Sequence, residues 1–128
     1  MIYGVGTDVV EIGRIEQALG RFGERFALRI LCAPELARFQ RHRQPAAYLA
    51  KRFAAKEAFT KALGTGIHAP ANWHGVWIMN LPSGKPVLQF SAALQALLQQ
   101  RGISSSHVSL TDERGVAMAT VILESETR

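Results

Sequence analysis

An α+β fold, with an antiparallel sheet and helices grouped against it, is predicted by three observations. The 128 residues are 48% hydrophobic and 20% charged, which suits one packed domain over residues 1–128 and leaves no room for a second. Alternating, strand-like stretches open and close the chain, while helix-period stretches fill its first half. Short turn signals join these segments, and neither an internal repeat nor a low-complexity linker is present.

Residues 2–8, IYGVGTD, read as a strand that puts Gly4, Gly6 and Asp8 on one face. Glycines on a strand face let another group approach the backbone closely. A helix is expected from about Val10 to Leu19, ended by Gly20, followed by shorter helical pieces over 22–31 and 35–42, the latter opened by Pro34. The long helix covers 46–63, with Pro45 suited to its first position and Gly64 to the position just past its end. Residues 73–80 alternate as a strand, PSGKP turns the chain into a strand at 87–90, and Ser91 caps a helix that runs to about Arg101 and is closed by Gly102. The chain ends in an expected hairpin, 107–111 and 116–124, around Asp112, Glu113, Arg114 and Gly115.

No apolar run approaches the ~20 residues of a membrane-spanning helix, and MIYGVGTD lacks the basic and apolar regions of a secretory signal, so a cytoplasmic protein without a membrane partner is expected. Cys32 is the only cysteine, which excludes an intrachain disulfide and a thiolate zinc site; its apolar flank predicts a buried, inert thiol. The net charge of +5 is uneven. Residues 14–61 hold eleven Lys/Arg against four Glu, a net of +7, and the remainder holds four against six Asp/Glu, a net of −2. Such a region either seeks an acidic partner or is a solvated face.

The densest chemistry lies in residues 52–66, RFAAKEAFTKALGTG. Arg52 and Lys56 are four apart, as are Glu57 and Lys61, so one acid and three bases are expected to cluster on a helix whose other positions are small or apolar. Asp8 can add a second carboxylate, and two carboxylates plus phosphate oxygens are a usual way to hold Mg²⁺. Each acid also has a plainer reading. Asp8-x-x-Glu11 is a capping-box pattern, and Glu57–Lys61 is an ordinary i,i+4 pair worth roughly 0.2–0.5 kcal/mol. Gly64 and Gly66 follow a helix C-terminus, where the dipole disfavours phosphate, so this is no P-loop. Gly4–Gly6 lacks the third glycine of a dinucleotide fingerprint.

Two segments, GVGTDVVEIGRIE at 4–16 and LAKRFAAKEAFTKALGTGI at 49–67, together resemble the holo-(acyl carrier protein) synthase family, the small bacterial 4'-phosphopantetheinyl transferases. GKP at 84–86, HVSL at 107–110 and VAMATVILE at 116–124 extend the resemblance along the chain. It implies a 4'-phosphopantetheinyl transferase-like fold, an antiparallel sheet with a long helix packed on it. It implies transfer of 4'-phosphopantetheine from coenzyme A to a serine of apo-acyl carrier protein, releasing adenosine 3',5'-bisphosphate and serving fatty acid biosynthesis. The matching positions make Asp8 and Glu57 the Mg²⁺ ligands, with Mn²⁺ as a possible substitute, and make Lys61 the third catalytic group. Arg52, Lys61, Gly64, Gly66, Gly84, Lys85, Pro86 and His107 match coenzyme A contacts. Arg14, Arg21, Arg25 and Phe26 match the surface that docks the carrier protein. The small family members resemble homotrimers with sites between subunits. Asp8, Glu57 and Lys61 then come from one chain, and Arg52, the 84–86 turn and His107 from its neighbour. Many relatives carry a second histidine after the His107 strand; this chain has Thr111, Asp112 and Glu113, so a mechanism using that histidine as base does not transfer. Glu57, water on the metal and a carboxylate of the carrier remain as proton acceptors.

Two other classes fit parts of the sequence. A basic nucleic-acid-binding domain fits the pI of about 10.0 but requires exposed aromatics among the basic residues, whereas the phenylalanines of 22–59 have core-like helical spacing. A metal-dependent nucleotide pyrophosphatase keeps the metal pair and changes the substrate.

Overall fold

The computed structural model describes residues 1–126. Strand β1 (Ile2–Glu11) is followed by helices α1 (Ile12–Phe22), α2 (Glu24–Ile30), α3 (Ala33–Arg41) and α4 (Pro45–Leu63). A hairpin of β2 (Val76–Asn80) and β3 (Pro86–Phe90) comes next, then α5 (Ala92–Gln100), β4 (Ile103–Glu113) and β5 (Val116–Ser125). The long strands form an antiparallel sheet in the order β1-β5-β4, and β2-β3 makes a separate two-stranded ladder. This is the α+β architecture that the sequence predicts.

The crossing of β1 by α4 governs everything around it. A Cβ added at Gly6 would sit 1.9 Å from the carbonyl oxygen of Ala58, and one at Gly4 would sit 2.0 Å from that of Ala62. Helix and strand therefore meet backbone to backbone, which only glycine on the strand allows. The helix buries Ala54, Ala55, Ala58, Phe59, Ala62 and Leu63 against Ala119, Val121 and Leu123 of the sheet. Full burial of a residue such as Phe59 contributes about 1.5–3 kcal/mol. A second cluster joins Tyr48, Leu49 and Ala50 of α4 to Ile15 of α1, Ala27 and Ile30 of α2 and Leu31 just past α2. The opposite sheet face is open and apolar: Val5, Val9 and Met118 are exposed there.

Pro45 and Gly64 (φ 91°) bound α4 as predicted, and Ser91 Oγ accepts from Leu94 N at the start of α5. Several limits moved because tertiary pairing overrode local signals. Strand β1 continues to Glu11, since its ladder with β5 runs to the Glu11–Val116 pair and Ile12 N then donates to Gly115 O. Helix α1 consequently starts later and passes through Gly20 to end at Gly23 (φ 67°). Asp8 sits inside the strand, and α1 has Glu11 as an N-cap without a side-chain bond, so the capping box is not formed. Residues 73–75 form a turn before β2, and β4 begins at Ile103 rather than 107. Only Arg114 (φ 52°) and Gly115 (φ 81°) make the β4–β5 turn, both with the positive φ of a type I′ hairpin. No helix among the described residues is long and apolar enough to cross a membrane.

Candidate active site

Each two-residue step along β1 moves back about one turn along α4: Gly4 faces Ala62, and Gly6 faces Ala58. The next residue on that face is Asp8, which arrives beside the outer edge of α4, where Glu57 and Lys61 project. Lys61 Nζ donates to Asp8 Oδ1 at 3.1 Å and to the Thr7 carbonyl at 2.9 Å. It bridges helix to strand instead of pairing with Glu57, four residues away. The Glu57 carboxyl is held above its ordinary range, first by partial burial and then by the Asp8 carboxylate, with Lys61 opposing. Lys61 thus pairs with one of two neighbouring carboxylates, and the other, Glu57, is left without an ion-pair partner among the described residues, beside a partly open site.

That donor set fits a hard divalent cation, because a cation between two oxygen ligands relieves the repulsion that one lysine does not. Among the described residues there is no group of three or more His, Cys, Asp or Glu able to hold a metal. An ion held by Asp8 and Glu57 would complete its shell with further oxygen donors, such as backbone carbonyls, water or substrate.

The other bases of the 52–66 segment lie elsewhere, which corrects the single cluster expected from sequence. Arg52 and Lys56 are turned roughly 140° and 100° around the helix from Glu57. Lys56 is fully buried; its Nζ donates to Glu35 Oε1 at 2.8 Å, Ile30 O at 2.6 Å and Trp73 O at 2.8 Å. Glu35 in turn accepts from the backbone N–H of Cys32 and Ile78. Spacing along the helix could not reveal this, because Glu35 is distant in sequence and reads as an ordinary helix-start acid. Arg52 is 4% exposed, lies 4.3 Å above the Tyr48 ring and donates through Nη2 to Asn80 Oδ1 at 2.9 Å. Asn80 Nδ2 donates to Gly84 O at 3.0 Å, so Arg52 is linked to the 84–86 turn. Gly84 (φ 94°) occupies the left-handed position there, Lys85 is exposed, and Pro86 opens β3 opposite Asn80. Asn80 was missed; an asparagine closing a strand carries no sequence signal beyond the turn after it.

His107 pairs across β5 with Ile122, which pairs with Val5, so it belongs to the open sheet face rather than the face bearing Gly6 and Asp8. Its Nε2 lies 2.8 Å from Glu124 Oε1, and this contact and Ser105 hold the Glu124 carboxyl below its ordinary range. Gly64 and Gly66 have positive φ and no atom within 4 Å of an added Cβ, so their requirement is conformational. Arg14 and Arg21 are exposed on α1, Arg14 pairing with Glu11 at 3.2 Å. Arg25 and Phe26 line a shallow cleft of about 330 Å³ with Phe22 and Arg29, two residues the sequence reading did not assign. Cys32 is half-buried, and burial pushes its thiol up, away from the reactive thiolate.

Residues 4–121 match the family model of the 4'-phosphopantetheinyl transferase superfamily. The chain belongs to that superfamily. Among proteins of known name it is similar to the holo-(acyl-carrier-protein) synthase of Pseudoalteromonas atlantica, at 56% identity over 124 residues, 97% of this chain and 98% of that protein. The crystal structure of the holo-(acyl-carrier-protein) synthase of Neisseria meningitidis aligns with a TM-score of 0.95 at 44% identity, covering 98% of this chain and 100% of that one. The Helicobacter pylori synthase, solved in complex with coenzyme A, aligns with a TM-score of 0.83 at 29% identity over 94% of this chain and 99% of that one. The resemblance read along the chain from its motifs is to this superfamily, whose model spans residues 4–121.

Proposed function

We infer that this chain, acting as a single domain in the cytoplasm, transfers the 4'-phosphopantetheine group of coenzyme A to a serine of apo-acyl carrier protein and releases adenosine 3',5'-bisphosphate. The observation that carries the reading is the Asp8–Lys61–Glu57 cluster at the β1–α4 crossing, in a chain whose named relatives are holo-(acyl-carrier-protein) synthases. The serine oxygen forms a bond to the diphosphate phosphorus next to the pantetheine arm. The bond from that phosphorus to the nucleotide's bridging oxygen breaks, and the nucleotide leaves with the electron pair.

Asp8 and Glu57 would hold Mg²⁺, or Mn²⁺, and the bound ion supplies neutralising charge to the diphosphate. Lys61, oriented by the Thr7 carbonyl, faces the same developing charge. The serine proton passes to Glu57, to water or to a carrier carboxylate, since no histidine follows His107 on β4. Arg14, Arg21, Arg25 and Phe26 form the docking face for the acidic carrier, supported by the exposure of the three arginines and by the cleft that Arg25 and the half-buried Phe26 line with Phe22 and Arg29.

The site is assembled between subunits of a cyclic trimer. Arg52 and His107 do not face Asp8 within one chain, and the open face of Val5, Val9 and Met118 offers an apolar surface for a neighbour to cover. Asp8, Glu57 and Lys61 then meet the partner's Arg52, 84–86 turn and His107. The nucleic-acid alternative loses its stacking platform: Phe59 is fully buried and Phe53 packs on Trp73 at 4.9 Å, leaving Phe22 as the exposed phenylalanine of the basic region.

Incubation with coenzyme A, Mg²⁺ and apo-carrier tests the activity. A carrier mass gain of one phosphopantetheine arm supports it, while hydrolysis of coenzyme A without carrier modification makes the protein a pyrophosphatase. For the assembly, Glu57→Ala and Arg52→Ala should each be inactive yet recover activity when unfolded together and refolded, because roughly a quarter of mixed interfaces join two intact halves. A monomer by light scattering, or no recovery, would place the site within one chain.

A further inference from the structure

Arg52 is a buried cation in an incomplete setting. Among the described residues no carboxylate lies within ion-pair distance of it, and its Nε is the buried side-chain nitrogen or oxygen without a hydrogen-bond partner. Burial lowers its proton affinity, and the Tyr48 ring offsets only part of the lost hydration. Arg52 Nη2 donates to a neutral amide, Asn80 Oδ1, and its other side-chain neighbour is the neutral phenol of Tyr48. That amide is used at both ends, because Nδ2 bonds Gly84 O.

The turn it reaches has little else to hold it. Residues Leu81 to Lys85 are all exposed, their backbone closes on itself through Leu81 N to Lys85 O (2.8 Å) and Gly84 N to Leu81 O (2.7 Å), and among the described residues no other side chain outside the turn bonds to it.

Resting on the coenzyme A reading above, we propose that Asn80 is a positioning residue for coenzyme A, a neutral relay that fixes the 84–86 turn to Arg52 while leaving the guanidinium charge for the anionic ligand. The choice of asparagine follows from both halves of that role. An aspartate of the same shape would neutralise Arg52 through a charge-assisted bond and would face Gly84 O with a second acceptor in place of a donor. An alanine would free the turn but leave the charge unspent. Charge and order are thereby separable in two variants.

The test compares Asn80→Ala and Asn80→Asp with the native protein in the full assay, varying coenzyme A and apo-carrier independently, with calorimetric binding of adenosine 3',5'-bisphosphate alongside. A hydrogen bond to a charged group predicts a rise of about tenfold in KM for coenzyme A in Asn80→Ala, with kcat and the carrier KM little changed. Asn80→Asp should be the worse of the two for coenzyme A and for the bisphosphate, and in an Arg52→Gln background it should add no further loss of calorimetric bisphosphate binding. A role confined to stability predicts the opposite order, with the isosteric aspartate milder and kcat and both KM values falling out together. Asn80→Asp equal to or better than Asn80→Ala overturns the relay. Because Asn80→Ala only truncates a half-buried side chain at a strand end, its KM split carries the test even if the aspartate variant fails to fold. If the native protein transfers nothing from coenzyme A to apo-carrier, the underlying reading and the relay fall together; if it does and the Asn80 variants match it, the relay alone falls.

Discussion

Substituting alanine for Gly6 tests the claim that the site exists because a strand and a helix touch backbone to backbone. The new Cβ would lie 1.9 Å from Ala58 O, 2.7 Å from Ala62 N and 2.9 Å from Ala58 C, whereas ordinary contact begins at 3.4 Å. The gap between β1 and α4 must open by about 1.5 Å, the difference between 3.4 and 1.9 Å. Backbone atoms stand on both sides, so no rotamer change relieves the clash, and the cost belongs at the upper end of overpacking, about 3 kcal/mol. For a domain of this size that lowers the melting temperature by about 10 °C. Asp8 lies two residues along the same strand face, and Glu57 adjoins Ala58 on the helix, so the same displacement pulls the carboxylates apart. Misplacement of about 1 Å costs on the order of 100-fold in rate, so transfer to the carrier should fall that far even below the melting range. Differential scanning fluorimetry and mass spectrometry of the carrier, at one protein concentration, give both readouts. Gly13→Ala is the control, since nothing lies within 4 Å of its added Cβ and the position is helical. A Gly6→Ala protein that melts and turns over like the native one would refute the reasoning.

Three further outcomes are expected. Lys56→Met should lower stability by about 3–5 kcal/mol, because it strands the Glu35 carboxylate at 1% exposure, and pairing it with Glu35→Gln should recover part of the loss; a melting point within a degree of native would contradict the buried pair. The raised Glu57 carboxyl makes its charged form unfavourable in the fold: the stability it contributes is full below its unfolded range and is lost as pH rises through the higher folded value. Glu57→Gln should therefore melt higher than native in chelator at pH 7, with the gap closing as pH falls toward the ordinary carboxylate range; a gap that widens on acidification reverses the sign and rejects the argument. Arg14→Glu should leave the fold unchanged, because its pair with Glu11 is exposed, yet raise the carrier KM and flatten its salt dependence while sparing that for coenzyme A; equal losses for both ligands would remove Arg14 from the docking face.

Features that depend on local period and local backbone chemistry were legible in the chain before it folded. Pro45 and Gly64 bound the long helix, alternation put Gly4, Gly6 and Asp8 on one strand face, and the last hairpin turns within the expected 112–115 segment. Asp8 and Glu57 were legible as a pair through the family resemblance, since by local pattern alone one reads as a capping residue and the other as half of an i,i+4 ion pair. Where each charge goes depends on which elements meet. Lys56 and Lys61 look alike along the helix, yet Lys56 disappears into an ion pair with Glu35 and Lys61 crosses to Asp8. Strand β1 outruns its predicted end because β5 supplies partners as far as Glu11, and Asn80 acquires its role from Arg52, 28 positions away. Periodicity fixes which side of an element a residue occupies; the identity of the group opposite depends on contacts between distant segments, and no spacing within one element encodes it.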